Sequence, residues 1–542
     1  MILIVLAALG PFLAKPFNVD DPLFLWAARQ IQAHPSNPYG FDLNWYGFQS
    51  AMWDVTKNPP LACYYLAVAA AILGWSEVAL HFAMLLPAVA AILGTYRLAR
   101  RLCQRPVLAA CTTLFTPVYL VSSTSVMCDT LLLAFWVWAV VLWVEGMESG
   151  SSRRLAGAAL LVALAALTKY FGACLIPLLF IYGLVLRRRL GRWMIALLIP
   201  IALLAAYHWA THALYGRGLL ADAGAYAVDV RGGSGIPKTV AGLTALAFTG
   251  GCLAVVPLLA LWLWRARVLV GFLLFGILAA IVVMWGGAMS DLYGDFAGTS
   301  RMWLELQLVL WAVGGVCVLA LAAEAAWRWR DAASCLLALW IFGTFLFAGF
   351  VNWTINARSI LPMAPAVGIL LARRLSWVPM ADFLSRWTAR MALLTAAVLA
   401  LAVARADFLL AGAVRESAQQ TYAEFGRGEG TLWFQGHWGF QYYLETLGSN
   451  AKAIDDGQSP RRDDFLAIPV NNTNVGSPNS PEFHGWTTLS FDGPRGISTL
   501  SKQVGAGFYA SVWGPLPFAF DSVSPECVHV FRLGQFPPAF QF

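Results

Sequence analysis

The chain has 542 residues, of which 59% are apolar and only 12% charged, with 24 Trp and 33 Phe. A soluble protein is about 25% charged and 45–50% apolar, so a cytosolic enzyme, a DNA-binding protein and a disordered scaffold are all excluded. The net charge of +7 comes from 36 Lys and Arg against 29 Asp and Glu, and the basic residues fall in short clusters between apolar runs rather than on one stripe. They read as topological signals, and no nucleic-acid partner is expected.

A helix needs about 20 apolar residues to cross the hydrocarbon layer. Thirteen runs are candidates: 1–15, 78–99, 106–122, 130–145, 155–168, 171–186, 193–211, 239–262, 268–288, 302–323, 333–350, 359–372 and 390–411. The first is short and interrupted by Pro11 and Pro16, and it lacks the basic leader and small-residue cleavage site of a signal peptide. With the first end inside, the inner loops and neighbouring span ends collect eighteen basic residues, among them Arg97, Arg100, Arg101, Arg105, Arg153, Arg154 and the cluster Arg187, Arg188, Arg189 and Arg192. The outer side holds nine before residue 400: Lys15, Arg29, Lys57, Lys169, Arg217, Arg231, Lys238, Arg301 and Arg358. This bias obeys the positive-inside rule and places the tail outside.

The expected organisation is a transmembrane domain over 1–411 and an extracytoplasmic domain over 412–542. Within the former, 16–77 forms a first outer loop with surface helices, one of them over 61–73, and 212–238 forms a Gly-rich, mobile outer loop. In the tail, TLWFQG, DDFLAIPV and CVHVFRL read as strands, HWGFQYYLETLG as a helix and NNTNVGSPNSPE as a loop, which suits a small α/β domain. Cys527 stands alone among nine cysteines in lying beyond residue 412, so the tail has no internal disulfide partner.

Charge in a membrane domain is costly and marks a function or an anchor. Asp20 and Asp21 follow the first run, Lys57 opens the surface helix, Asp129 precedes the fourth run, Lys169 sits in the turn between the fifth and sixth, and Arg358 precedes the twelfth. The topology puts all of them at one outer level. The competing bland roles are snorkelling for Lys169 and Arg358 and helix capping for Asp20, Asp21 and Asp129. His208 and His212 share a helical face without a third metal ligand. Asp455-Asp456 and Asp463-Asp464 read as solvated surface, and Trp433, His437, Trp438, Tyr442 and Tyr443 as a domain core.

The order of these signatures carries a resemblance. DD at 20–21, KNPPL at 57–61, LARRL at 98–102, SVMCDTLLL at 125–133, ALTK at 166–169 and NARSILPMAP at 356–365 together resemble the polyprenyl-phosphate-dependent glycosyltransferases of the GT-C fold, in the group of protein O-mannosyltransferases and lipid A aminoarabinose transferases. Asp21 stands where the group usually has Glu, Asn58 intrudes before the prolines, and Ser359 replaces a common Tyr.

The resemblance implies a polytopic α-helical membrane protein with about thirteen transmembrane helices and a small C-terminal α/β domain. It implies transfer of a sugar from a polyprenyl-phosphate donor to an envelope lipid, glycan or protein, with Asp20 as base, Asp21 beside it, and Lys57, Asp129, Lys169 and Arg358 as donor or acceptor contacts. Membrane lipids are partners, no cofactor is required, and nothing indicates a divalent cation. Arg217 is expected to matter only if its loop closes over the site. The expected location is the cell inner membrane with the C-terminal domain periplasmic. The alternative is a secondary transporter or lipid-linked-sugar flippase, which would show inverted repeats and charges at the midplane.

Overall fold

The computed structural model describes residues 1–233, 235–285, 301–377, 383–428, 430–454, 460–476 and 483–533. Asp455, Asp456, residues 477–482 of the expected tail loop and 286–288 of the ninth run lie outside them. Within the described residues the apolar runs all become helices, but of unequal kinds. Seven are long and apolar enough to cross a membrane: Glu77–Leu102, Asp129–Ser149, Tyr170–Arg187, Arg192–Tyr215, Arg301–Trp329, Ala332–Val351 and Trp387–Phe425.

The remaining runs are shortened or bent. Pro106–Leu114 and Pro117–Ser123 meet at 64°, because Pro117 drives Thr116 into extended backbone and the Thr116 hydroxyl then caps the second segment by accepting from Tyr119 N. The first run is a helix over Ile2–Leu9 that tightens at Gly10-Pro11, and 239–262 is cut into Lys238–Cys252, Val255–Leu258 and Ala260–Leu263. Among the described residues seven spans, or eight with the bent pair, meet the length and composition test; other runs form shorter helices, such as Ser152–Thr168, or are broken, as at Pro117 and Leu361-Pro362. Close packing also has a price in side chains: a Cβ on Gly250 would fall 1.9 Å from Trp311 O and one on Gly315 2.1 Å from Leu246 O. Helices Lys238–Cys252 and Arg301–Trp329 therefore touch backbone to backbone, as small residues permit in membranes.

At the end of the bundle where the tail packs, β1 (Asp42–Asn44) and β2 (Gln49–Ala51) form an antiparallel hairpin, and Leu61–Leu73 packs on Asp21–Ala33, with Gln32 Nε2 donating to Ala67 O at 2.8 Å. The last long helix, Phe383–Phe425, continues past residue 411. It leads into β3 (Leu432–Phe434), helix Trp438–Leu447, β4 (Ala451–Ala453), β5 (Phe465–Pro469), β6 (Phe483–Phe491), β7 (Leu500–Ser501), β8 (Ala506–Gly507) and β9 (Glu526–Leu533). Five of these strands form a sheet in the order β4-β3-β5-β9-β6, parallel among β4, β3 and β5 and antiparallel from β5 through β9 to β6.

The tail does not stand apart. Val504, Phe508, Trp513, Leu516 and Phe518 are buried in one continuous core with the membrane helices, whereas Trp433, Ile454, Leu466, Ile468, Phe531 and Leu533 form a small separate core. Polar ties join the same elements: Tyr443 OH donates to Glu77 Oε1 at 2.5 Å, Arg415 pairs with Glu77 at 2.6 Å, and Gln441 Nε2 donates to Asn44 O at 3.0 Å.

Glu77 opens a helix of 26 residues, about 39 Å long at 1.5 Å per residue. At its other end Arg97 and Arg101 grip Glu145, Arg97 Nε lying 2.8 Å and Arg101 Nε 3.3 Å from Oε1, with Arg154 at 4.0 Å. The tail and this arginine cluster thus occupy opposite ends of the bundle. With the tail outside, Arg495→Cys, at a position whose side chain is 82% exposed, reacts with an impermeant maleimide in intact spheroplasts in a Cys527→Ser background, and Ser152→Cys reacts only after lysis. The reverse labelling pattern would invert the topology.

Candidate functional site

The tail-bearing end of the bundle is organised by a turn that the backbone does not favour. Val19 has φ +51°, a left-handed conformation that costs a β-branched residue on the order of 1–3 kcal/mol. It delivers Asp20 and Asp21 to the start of helix Asp21–Ala33. Asp21 is 1% exposed; its Oδ2 accepts from Asn18 N at 3.1 Å and its Oδ1 from Val126 N at 3.0 Å. This carboxyl therefore ties the turn to the loop before Asp129. Burial pushes it up to about 7, against the downward pull of Lys15 and the two amides. Neither aspartate caps the helix with its side chain: Asp20 occupies the N-cap position without such a bond, and the Asp21 oxygens are used outside the helix.

Asp20 faces the other way. Its side chain is 30% exposed and its Oδ2 accepts from Arg358 Nη2 at 2.7 Å, while Oδ1 has no hydrogen bond among the described residues. Arg358 rides on the one-turn helix Ala357–Ile360, whose start is fixed by Asn356 Oδ1 accepting from Ser359 N at 2.8 Å. Its Nη1 is 2.8 Å from Met127 Sδ and 3.9 Å from Asp129 Oδ2. Asp129 in turn accepts at Oδ1 from Lys169 Nζ at 2.8 Å. Asp129 is the first residue of its helix, the N-cap being Cys128, so its carboxylate serves a lysine rather than the helix end. Asp20, Arg358, Asp129 and Lys169, from four separate parts of the chain, form one line of alternating charge.

Beneath this line lies a second constellation that sequence reasoning missed. Lys15 Nζ is 2.5 Å from Asp407 Oδ2, and both side chains are 2% exposed. Asp407 also accepts from Tyr509 OH at 2.9 Å and from Thr499 Oγ1 at 2.8 Å. The Tyr509 ring lies under the Arg358 guanidinium, 5.5 Å from its centroid, and the backbone clamps the contact: Ala357 N donates to Phe508 O at 2.8 Å and Ser511 N to Ile355 O at 2.7 Å. An Asp inside the apolar run 390–411 was a signal, since uncompensated acids are costly there. Nothing local marks Thr499 or Tyr509.

Lys57 belongs to a neighbouring cluster. Its Nζ is 2.8 Å from Asp222 Oδ2 and 3.5 Å from Asp54 Oδ1. Arg217 is 2.9 Å from Asp222 and 3.4 Å from Asp54, with its guanidinium 4.2 Å from the Trp53 ring centroid. The segment 212–238, expected as a Gly-rich mobile loop, is instead largely the helix Leu219–Gly233, and Arg217 just before it shares Asp222 and Asp54 with Lys57. Burial would raise the Asp222 carboxyl, but the bonds from Lys57 and Arg217 outweigh it and hold it low. Burial first, then Tyr226, Asp20 and Asp54, push the Tyr46 phenol up to about 12.

The aromatic residues of the tail are structural. Trp433 Nε1 donates to Asp464 Oδ2 at 2.8 Å, Trp438 packs on Trp513, and Tyr442 and Tyr443 are buried. Asp464, expected on the solvated surface, is instead buried against Trp433 and also accepts from Thr431 N, because it closes the turn before β5 in which Asp463 takes φ +75°. Among the described residues no three His, Cys, Asp or Glu side chains are grouped to hold a metal ion.

The family model for dolichyl-phosphate-mannose-protein mannosyltransferases matches residues 57–212, a stretch containing Lys57, Asp129 and Lys169. Among solved structures, ArnT from Cupriavidus metallidurans bound to undecaprenyl phosphate superposes with a TM-score of 0.50 at 12% identity, covering 97% of this chain and 96% of that one. The apo oligosaccharyltransferase of Archaeoglobus fulgidus gives 0.49 at 16% identity, covering 84% of this chain, which spans 64% of that protein's length. The arabinofuranosyltransferase AftD from Mycobacteria gives 0.39 at 13% identity, over 98% of this chain and 40% of that one. No curated protein matches by sequence. The fold is of the GT-C type, helical with a small C-terminal sheet domain.

The Asp21 carboxyl carries a pH signature. Burial pushes its pKa from the ordinary 3.8 up to about 7 in the fold, so between these values the folded state holds a proton that the unfolded chain has lost, and stability falls as pH rises. Asp21→Asn removes that dependence while losing an acceptor at every pH. The unfolding midpoint of wild type minus that of Asp21→Asn in detergent should therefore shrink from pH 5 to pH 8, and a constant difference would show that Asp21 does not titrate there.

Proposed function

We propose that the chain is an integral membrane glycosyltransferase, a hexosyl- or pentosyltransferase, that moves a sugar from a polyprenyl-phosphate donor to an envelope lipid, glycan or protein on the outer face of the cell inner membrane. The observation that carries this reading is the line Asp20–Arg358–Asp129–Lys169, which leaves one carboxylate oxygen of Asp20 open. The fold and the family model's printed description favour a lipid-phosphate donor, and nucleotide sugars are not expected outside that membrane.

The chemistry follows from the residue types. An acceptor hydroxyl oxygen attacks the anomeric carbon as its proton passes to Asp20 Oδ1, a step for which a positioned base contributes about 10²–10⁴ in rate. The bond from that carbon to the phosphate oxygen breaks, and its electron pair leaves on the polyprenyl phosphate. A single displacement inverts the anomeric centre. Arg358 holds Asp20 at its other oxygen, Asp129 and Lys169 hold Arg358 in the line, and Asp21 is a positioning residue that braces the turn. Lys57, not committed to that line, meets the charge that grows on the leaving phosphate.

Asp20→Asn should leave the protein folded and inserted but lower transfer by at least ~10². Lys57→Ala should weaken use of the lipid donor by roughly ten- to a hundredfold, the worth of one charge-assisted hydrogen bond. The decisive assay offers purified protein polyprenyl-phosphate sugars and nucleotide sugars in parallel and follows transfer to extracted envelope acceptors. Transfer from nucleotide sugars alone, or normal turnover by Asp20→Asn, would sink the proposal.

A further inference from the structure

The cation assigned to the donor phosphate already has an anion on it. The two oxygens of Asp222 divide between two cations, Oδ2 lying 2.8 Å from Lys57 Nζ and Oδ1 2.9 Å from Arg217 Nη1. That is how two oxygens of one phosphate would be shared by a lysine and an arginine. Asp54 completes a balanced set of two cations and two carboxylates, at 3.5 Å from Lys57 and 3.4 Å from Arg217.

The carrier of Asp222 is thinly buried and is pinned mainly at its two ends, where Leu219 N donates to Thr211 Oγ1 at 3.1 Å and Arg231 donates to Gly349 O. It belongs to helix Leu219–Gly233, in which Leu219 alone is buried, and the segment enters through Gly216, with φ +72°. Asp222 and Tyr226, whose ring centroid is 5.1 Å from Lys57 Nζ, are the contacts that bring the helix down on Lys57. Tyr226 also touches Trp353, at 6.2 Å between ring centroids. Arg217 lies two residues before that helix and pairs with Asp222, but it is also stacked on Trp53 beside Asp54, contacts that do not involve the helix.

We infer that Asp222 is a tethered stand-in for the donor's phosphate, and that Arg217 is the second cation of the donor site. The inference rests on the proposed role of Lys57. When the lipid phosphate arrives it takes the two cations, Asp222 withdraws with its helix, and Asp54 remains as the local counter-charge. The resting site is thereby kept neutral without ligand, and only an anion that outbids an intramolecular carboxylate gains entry. The cost of displacing Asp222 is part of the measured donor affinity.

The test measures binding of undecaprenyl phosphate to the full-length protein in nanodiscs, with undecaprenol as the uncharged control. Asp222→Asn should bind the phosphate at least about tenfold more tightly than wild type, because the competitor is gone while both cations remain, and Arg217→Gln should bind it about tenfold more weakly. Raising the salt from about 50 to 500 mM should shrink both differences, and undecaprenol binding should change in neither. Asp222→Ala repeats the first measurement should the Asn variant unfold. If Lys57→Ala weakens phosphate binding but the Asp222 variants bind no tighter, Asp222 merely orients the two cations and the inference falls alone. Indifference of phosphate binding to Lys57→Ala removes the donor reading, and the inference with it.

Discussion

A guanidinium sheltered at the edge of a membrane domain is the constraint on which the tail-bearing end of the bundle depends. Arg358 cannot be left without anions there, since an uncompensated charge costs several kcal/mol. Its partners come from distant places: Asp20 from the first outer loop, Asp129 from the head of a span, and the Tyr509 ring from the tail. Satisfying one side chain thus requires four segments to arrive together. The same requirement explains why a β-branched Val19 is held at positive φ. The strain is local, while the ion pair it allows is shared by the whole outer layer.

Much of the architecture was legible because its signals are local. Apolar runs, prolines and basic clusters each state something about a few neighbouring residues, and the strand and helix patterns at 431–436, 437–448, 463–470 and 527–533 all coincide with regular elements. The number of spans was less legible, since a hydropathy run does not reveal where Pro117 will bend it or where Gly250 will bring two backbones into contact. Strands β4 and β6 also escaped notice, the first for brevity and the second because FHGWTTLSF mixes polar and apolar residues without a clean alternation.

The site was half legible for a related reason. Topology could place Asp20, Lys57, Asp129, Lys169 and Arg358 at one depth, but pairing is decided in the plane of the membrane, which linear order does not encode. Arg358 and Asp20 are separated by 338 residues, and Lys15 and Asp407 by 392. Lys57 shares the depth of the others yet pairs with Asp222. Asp21, expected beside the chemistry, instead spends both oxygens on backbone amides, a distinction between adjacent aspartates that only the turn geometry makes.

Asp407 shows why the tail cannot be regarded as an accessory. Its two oxygens accept from Lys15, Tyr509 and Thr499, so two of its three partners lie beyond residue 411. Without them a carboxylate in the middle of a long apolar helix would keep only Lys15, and unmade hydrogen bonds to a buried charge cost about 1–3 kcal/mol each or more. The same tail segment supplies the carbonyl of Phe508 and the amide of Ser511 that brace the backbone at Ala357 and Ile355, just before Arg358. Chain that seems, from composition alone, to be a separate soluble domain is therefore part of what holds the charged layer in register, and the orientation of Asp20 passes through contacts made some 490 residues later in the sequence.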